Sequence, residues 1–267
     1  MKMTTIKFSL TFFIVVVLMA GCTKVIDLKL GNDSGKLVIE GNLTQQSGSQ
    51  YVKLSKNVPF TNTNTYPPVT GAKVVISDNN GNTYPFNEIS PGTYALAPLG
   101  GITNYIYTLS VSTNGSTYTA KSQLPGLVAL DSITSRPSIF NSSKNRRLIT
   151  VHFQDPAGIP NQYRFILWVN SVQVKSVFAF DDEFTDGRYS NIDLLENDID
   201  IYPNDSVKVE MQCIDKPIYT YWFTLEQQNP DGPGGGVAPS NPPTNITPTT
   251  LGYFSAHTTQ TQTIVVK

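Results

Sequence analysis

Ala72-Lys73-Val74-Val75-Ile76-Ser77 runs into Asp78-Asn79-Asn80-Gly81, and this stretch decides the fold class. A strand-like run meets a turn whose Asn-Gly step supplies the positive φ values that a tight hairpin requires. Residues 83–89 are then the return strand. Outward from this hairpin, strand signals recur at short intervals: 36–40 followed by Gly41, the clean alternation of 51–55, then 92–96, 105–112 and 116–122. The last two form a second hairpin across Asn114-Gly115. Residues 36–124 therefore read as a β-sandwich of about seven strands, and Leu124-Pro125-Gly126 as its boundary.

Residues 125–267 are also rich in strand signals. They fall at 131–135, 147–154, 162–169, 172–180, 206–214, 252–256 and 261–266, with a tight turn at Asn170-Ser171. One helix interrupts them, at 216–228. Ile218, Tyr221, Trp222 and Leu225 recur at i, i+3, i+4 and i+7, one apolar face that is expected to pack on the second sheet, and Asp215 is placed to cap it. The expected fold is mainly β, with two sandwich domains (36–124 and 125–267) and the helix in the second. Residues 229–250 form a Pro/Gly-rich loop beginning Asn229-Pro230-Asp231-Gly232; loops of this length are uncommon unless functional or disordered.

The N-terminus carries a different signal. Lys2 and Lys7 precede an apolar run from Phe8 to Ala20, too short to span a bilayer comfortably but of the length of a signal-peptide core. It ends in Leu18-Met19-Ala20-Gly21-Cys22, which resembles the bacterial lipobox, with Met19 where that motif usually has Leu. Residues 1–21 are thus expected to be a cleaved signal, Cys22 the lipidated residue, and 22–35 a tether. Several acyl chains on one cysteine suffice for stable membrane attachment.

The composition bounds the partners. The 267-residue chain has a net charge of -1, and 15% of its residues are charged. A near-balanced chain lacks the basic face that nucleic acid requires. Of the two cysteines, Cys22 is assigned to lipid, which leaves Cys213 without a disulfide partner. In the alternation 207–213, Cys213 shares the side of Val207, Val209 and Met211 and reads as a buried, inert thiol.

No catalytic set emerges. His152 and His257 each stand alone and read as structural. There is no His-x-His, Cys-x-x-Cys, His-Glu-x-x-His, Gly-x-Ser-x-Gly or phosphate-loop pattern, so neither enzyme activity nor a cofactor is expected. The one cluster with chemical content is Asp181-Asp182-Glu183-Phe184-Thr185-Asp186-Gly187. Its carboxylates, Asp181, Asp182, Glu183 and Asp186, are hard oxygen ligands of the type calcium takes. Gly187 is one position late for the EF-hand loop, and the plain reading is a solvated loop. Residues 193–200 are a second acidic run, read as surface.

Several segments, in order, resemble the lipoproteins grouped as domain of unknown function 4249. They are Val25-Ile26-Asp27 after Cys22, Lys36-Leu37-Val38-Ile39-Glu40-Gly41, Val69-Thr70-Gly71-Ala72-Lys73-Val74, Pro91-Gly92-Thr93-Tyr94 and Tyr105-Ile106-Tyr107-Thr108-Leu109. Asp205-Ser206-Val207, Tyr219-Thr220-Tyr221-Trp222, Pro242-Pro243-Thr244-Asn245-Ile246 and Leu251-Gly252-Tyr253-Phe254-Ser255 complete the series. The resemblance implies a Bacteroidota outer-membrane lipoprotein, often encoded near TonB-dependent receptors, and hence a partner rather than a reaction. It also implies a transthyretin-like or carboxypeptidase-regulatory-like first sandwich; the second is expected to be Ig-like. No catalytic residues come with the family. Thr23-Lys24-Val25-Ile26 precede Asp27, so the acidic signal that often directs surface export in that phylum is displaced, and the side of the membrane stays open.

Three functions follow as expectations. The first is a non-catalytic accessory of a TonB-dependent transporter or of its substrate uptake. The second is an adhesin or glycan-binding module using exposed aromatic residues and the Pro/Gly loop. The third is a glycoside hydrolase using two of Asp181, Asp182 and Glu183, which would need both to face one cleft.

Overall fold

The computed structural model describes residues 34–59, 65–138, 145–229, 237 and 240–267. The expected signal sequence, Cys22 and most of the expected tether lie outside the described residues. Within them the chain is mainly β, as its hairpin signals require.

The first half contributes β1 (Leu37–Thr44), β2 (Gly48–Lys56), β3 (Lys73–Asp78), β4 (Thr83–Ser90), β5 (Thr93–Leu99), β6 (Ile106–Thr113) and β7 (Ser116–Gln123). Neighbours run β1-β2-β5-β4-β3-β6-β7. β4 pairs with β5 on one side and β3 on the other, so it joins two layers. The alternation in β2 shows why the layers face each other: Gln50, Val52 and Leu54 are buried while Tyr51 and Lys53 are exposed. The enclosed core centres on Ile39, Leu43, Ile76, Tyr94, Tyr107 and Leu109. Each large apolar side chain buried there contributes about 1.5–3 kcal/mol.

The second half contributes β8 (Ser132–Pro137), β9 (Arg147–Gln154), β10 (Gln162–Val169), β11 (Val172–Gln173), β12 (Phe178–Asp181), β13 (Tyr189–Leu194) and β14 (Ser206–Ile214). They are followed by α1 (Lys216–Glu226), β15 (Ile246–Thr247) and β16 (Leu251–Val265). One layer is β13-β9-β8, and the other is β10 and β14 with β16 at its side. Their core gathers Phe153, Phe165, Leu167, Val209 and Met211.

Three segments differ from the reading of the sequence. Residues 172–180 are not one strand. Asn170 and Ser171 take positive φ (49° and 68°) and return β11 onto β10. The Lys175 N–H then donates to Asp198 rather than to β10, and pairing resumes only at β12. β13 was not foreseen: Ser190, Ile192 and Leu194 alternate inward, but acidic and polar neighbours mask them. It brings Asp193, taken as surface, against Arg136 and Thr150.

The third difference is β16. The two expected strands 252–256 and 261–266 are one continuous strand. Residues 251–257 run parallel to β1, and residues 258–265 run antiparallel to β14. Phe254, Ala256 and Ile246 consequently belong to the core of the first half, although they lie beyond the boundary at 124. Gly252 makes the junction possible: it sits at φ +95°, and a Cβ there would lie 2.0 Å from the Ile39 carbonyl oxygen.

Candidate functional site

A cavity of about 1130 Å³ opens where the 124–126 connection, the 158–162 turn, the 181–186 turn and the start of α1 meet. Its floor is held by Asp215. This residue caps α1 through the Ile218 N–H at 3.2 Å, helped by Pro217 in the first helical turn. Its other oxygen accepts from Ser122 Oγ at 2.8 Å and the Gln123 N–H at 2.9 Å. Ser122 Oγ in turn accepts from the Ala256 N–H at 2.9 Å. One carboxylate thus fastens the helix to β7 and, through Ser122, to β16. Burial pushes the Asp215 carboxyl up against the opposing pull of these donors.

The acidic cluster lines this cavity but does not act as a unit. Asp181 is the last residue of β12 and pairs with Lys216 at 3.0 Å. Glu183 is exposed. Asp182 turns inward, 7% exposed, and accepts from the Asn161 N–H at 2.7 Å. Asp186 accepts from the Gly158 N–H at 2.7 Å. Asp155, which sequence reasoning missed, is the partner of these two. It follows β9 directly and accepts from Tyr163 Oη and, at 3.0 Å, from the Gly187 N–H. The signal available in the sequence was an Asp-Pro step closing a strand, at Asp155-Pro156.

Oxygens of Asp155, Asp182 and Asp186 lie within 4.8 Å of one another. Two unit charges at that separation repel by roughly 3 kcal/mol at an effective dielectric near 20. Among the described residues no Lys, Arg or His forms an ion pair with any of the three. Burial pushes the Tyr163 hydroxyl up, and Asp155 beside it adds to the effect, so it stays a donor. Asn161 lines the same cavity. It is 7% exposed, and its buried Oδ1 has no hydrogen-bond partner.

Apolar side chains stand around this opening. Ile106 and Ile159 line it at 43% and 57% exposure, and Phe184, in the acidic turn, is 82% exposed.

The other candidate residues are placed elsewhere. His152 bridges Thr134 Oγ1 at 2.7 Å and Asn191 Oδ1 at 2.5 Å, across β8, β9 and β13. His257 is buried against Ser255 Oγ at 3.0 Å. Burial, with the Arg164 charge adding, holds it down at about 4. Cys213 is buried and accepts from the Val128 N–H, and burial pushes its thiol up. Each tryptophan carries a cation on its ring: Arg164 lies 3.5 Å from Trp222, and Lys208 lies 3.8 Å from Trp168. Trp222 also packs with Tyr221 and Tyr253, so the helix stripe lies on the outer face of β16.

Of the 229–250 segment, the described parts engage the fold. Gln228 exchanges two hydrogen bonds with the Ser240 backbone. Asn245 bridges the Phe254 backbone and the Lys121 carbonyl, and β15 pairs with β7. Residues 230–236, 238 and 239 lie outside the described residues. No helix among the described residues is long and apolar enough to cross a membrane.

Among solved structures, a two fibronectin type-III domain segment from chicken tenascin is similar at 13% identity and a TM-score of 0.22, covering 68% of this chain and 91% of that one. The Yersinia pseudotuberculosis adhesin InvE is similar at 16% identity and a TM-score of 0.22, covering 68% of this chain; the match spans 57% of the adhesin. A search of curated proteins found no match. The family model described as domain of unknown function 4249 (DUF4249) matches residues 23–263, and the chain belongs to that family.

Proposed function

We propose that this chain is a non-catalytic lipoprotein, held at the outer membrane through Cys22, that docks onto a TonB-dependent transporter. The observation that carries the docking is the exposed apolar pair Ile106 and Ile159 lining the cavity, with Phe184 exposed in the adjoining acidic turn. Exposed apolar residues gathered at one rim mark a contact surface more often than scattered ones do. The polar groups of the cavity support the non-catalytic part of the reading. Asp215 is committed to capping and to Ser122, and Asp181 to Lys216. Neither is presented as a free base beside a nucleophile.

Photo-crosslinking from position 184 or 159 of the full-length chain in native membranes tests this. A transporter should be captured, and Phe184→Asp combined with a crosslinker at 159 should abolish the capture. Recovery of no transporter from either position overturns the docking. Cys22→Ser should release the chain from membranes; retention in the membrane fraction overturns the anchor.

A further inference from the structure

We propose that Asp155, Asp182, Asp186 and Asn161 form a calcium site that pins the 182–187 turn to the end of β9 and the start of β10. Three observations meet here. First, three carboxylates offer oxygens within 4.8 Å of one another. Ligands on opposite sides of one Ca²⁺, each about 2.4 Å from it, are separated by about that distance, so all three oxygens fit one ion. Second, two of the carboxylates are buried, Asp155 at 1% and Asp182 at 7% exposure. Buried charges are ordinarily paired or bound to metal, and no protein cation pairs with them among the described residues.

The third observation does not involve charge. Asn161 Oδ1 is a buried amide oxygen without a partner, in a residue whose own N–H lies 2.7 Å from Asp182 Oδ2. An unsatisfied buried acceptor calls for an explanation, and a cation beside the carboxylates supplies one. Amide carbonyls are ordinary calcium ligands.

The donor set selects the ion. It is all oxygen, without His or Cys, which disfavours zinc and the softer transition metals. It mixes three carboxylates with a neutral carbonyl on two loops, the 155–161 turn and the 182–187 turn. Such an arrangement suits the irregular, higher-coordinate shell of calcium better than the rigid octahedron of magnesium. Asp186 is exposed, so water has access to the remaining positions. Phe184 lies between two of the ligands in the chain, and the ion would fix its backbone. Calcium binding is nevertheless a property of the chain alone, and its test is separate from transporter capture.

Terbium, a calcium stand-in excited through tyrosine, is the probe, because the Tyr163 hydroxyl bonds to Asp155. The full-length chain, purified in detergent and stripped with EGTA, should give sensitised emission that calcium displaces. Titration calorimetry should find one calcium per chain. Magnesium should displace terbium at least tenfold less well. Asp186→Asn, at an exposed position, and Asn161→Ala should each weaken binding at least tenfold, whereas Asp78→Asn, in another turn, should leave it unchanged. Absence of calcium-displaceable emission overturns the site. So does wild-type affinity in Asp186→Asn or Asn161→Ala, or an equal loss in Asp78→Asn.

Discussion

Two aspartate-built turns in this molecule, one after β3 and one after β12, are filled differently. At the end of β3, Asp78 accepts from the Asn80 and Asn82 N–H groups at 2.9 and 3.0 Å, from Asn82 Nδ2 at 2.8 Å and from Tyr84 Oη at 2.9 Å. Four neutral donors surround one charge. They hold its carboxyl below the usual range, the Asn82 side chain contributing most. Around Asp155, Asp182 and Asp186, four donors serve three charges: Tyr163 Oη and the N–H groups of Gly187, Asn161 and Gly158. A carboxylate has about four acceptor sites. Asp78 is saturated, while the trio leaves about two thirds of its sites open. Acidic residues in a turn thus reveal their role only when their donors are counted. A saturated carboxylate shapes the chain, and an undersupplied, buried group of them is suited to a cation.

The largest effect should come from taking a donor away from the undersupplied turn. Tyr163→Phe, measured by urea unfolding in chelator, should cost about 1.5–3 kcal/mol, the range for a hydrogen bond to a charged group. A loss below about 0.5 kcal/mol would show that protein donors do not support the trio. Next, Asp78→Ala leaves Asn80, Asn82 and Tyr84 donors without their acceptor. It should lower the melting temperature by several degrees, equally with calcium or chelator. A calcium-dependent shift would erase the distinction between the turns.

The pH dependence sharpens the same contrast. A carboxyl whose folded pKa is depressed contributes stability that is present above its unfolded pKa and lost as pH falls through the folded value. The gap in melting temperature between wild type and Asp78→Ala should therefore hold from pH 7 to pH 5 and close toward pH 3. A gap that widens on acidification contradicts the assignment. The smallest effect belongs to Asp186→Asn in chelator. Removing one of three crowded charges from an exposed position should change stability by less than about 0.5 kcal/mol, if anything upward. A loss above 1 kcal/mol would make Asp186 structural like Asp78.

The sequence made the first half legible because its signals are local. Asn79-Asn80-Gly81 and Asn114-Gly115 name their own turns, and an alternation such as 51–55 exposes its own face. β9, β10 and β14 were legible for the same reason. β13 was not, because Asn191 and Asp193 on its other face, with Ser190 on the inward one, make 189–194 read as polar; a tertiary partner, Arg136, compensates Asp193. The acidic cluster was visible as a cluster, but its sorting was not. Asp181 ends a strand, so it and Asp182 diverge, one to Lys216 and one inward. Asp155 joins Asp182 and Asp186 across a separation that no local pattern spans. The pairings of β10 with β12 and of β9 with β13 bring their loops together.

β16 has a temporal meaning as well as a spatial one. It follows every other described strand in sequence, yet it supplies Phe254 and Ala256 to one core and pairs along β14 beside the other. Any process that delivers the chain N-terminus first delivers this strand after both β1 and β14. Until it arrives, β1 lacks one neighbour, β14 lacks another, and neither half can seal. The two halves thus share one closing element, and neither is complete before β16 follows the strands it joins.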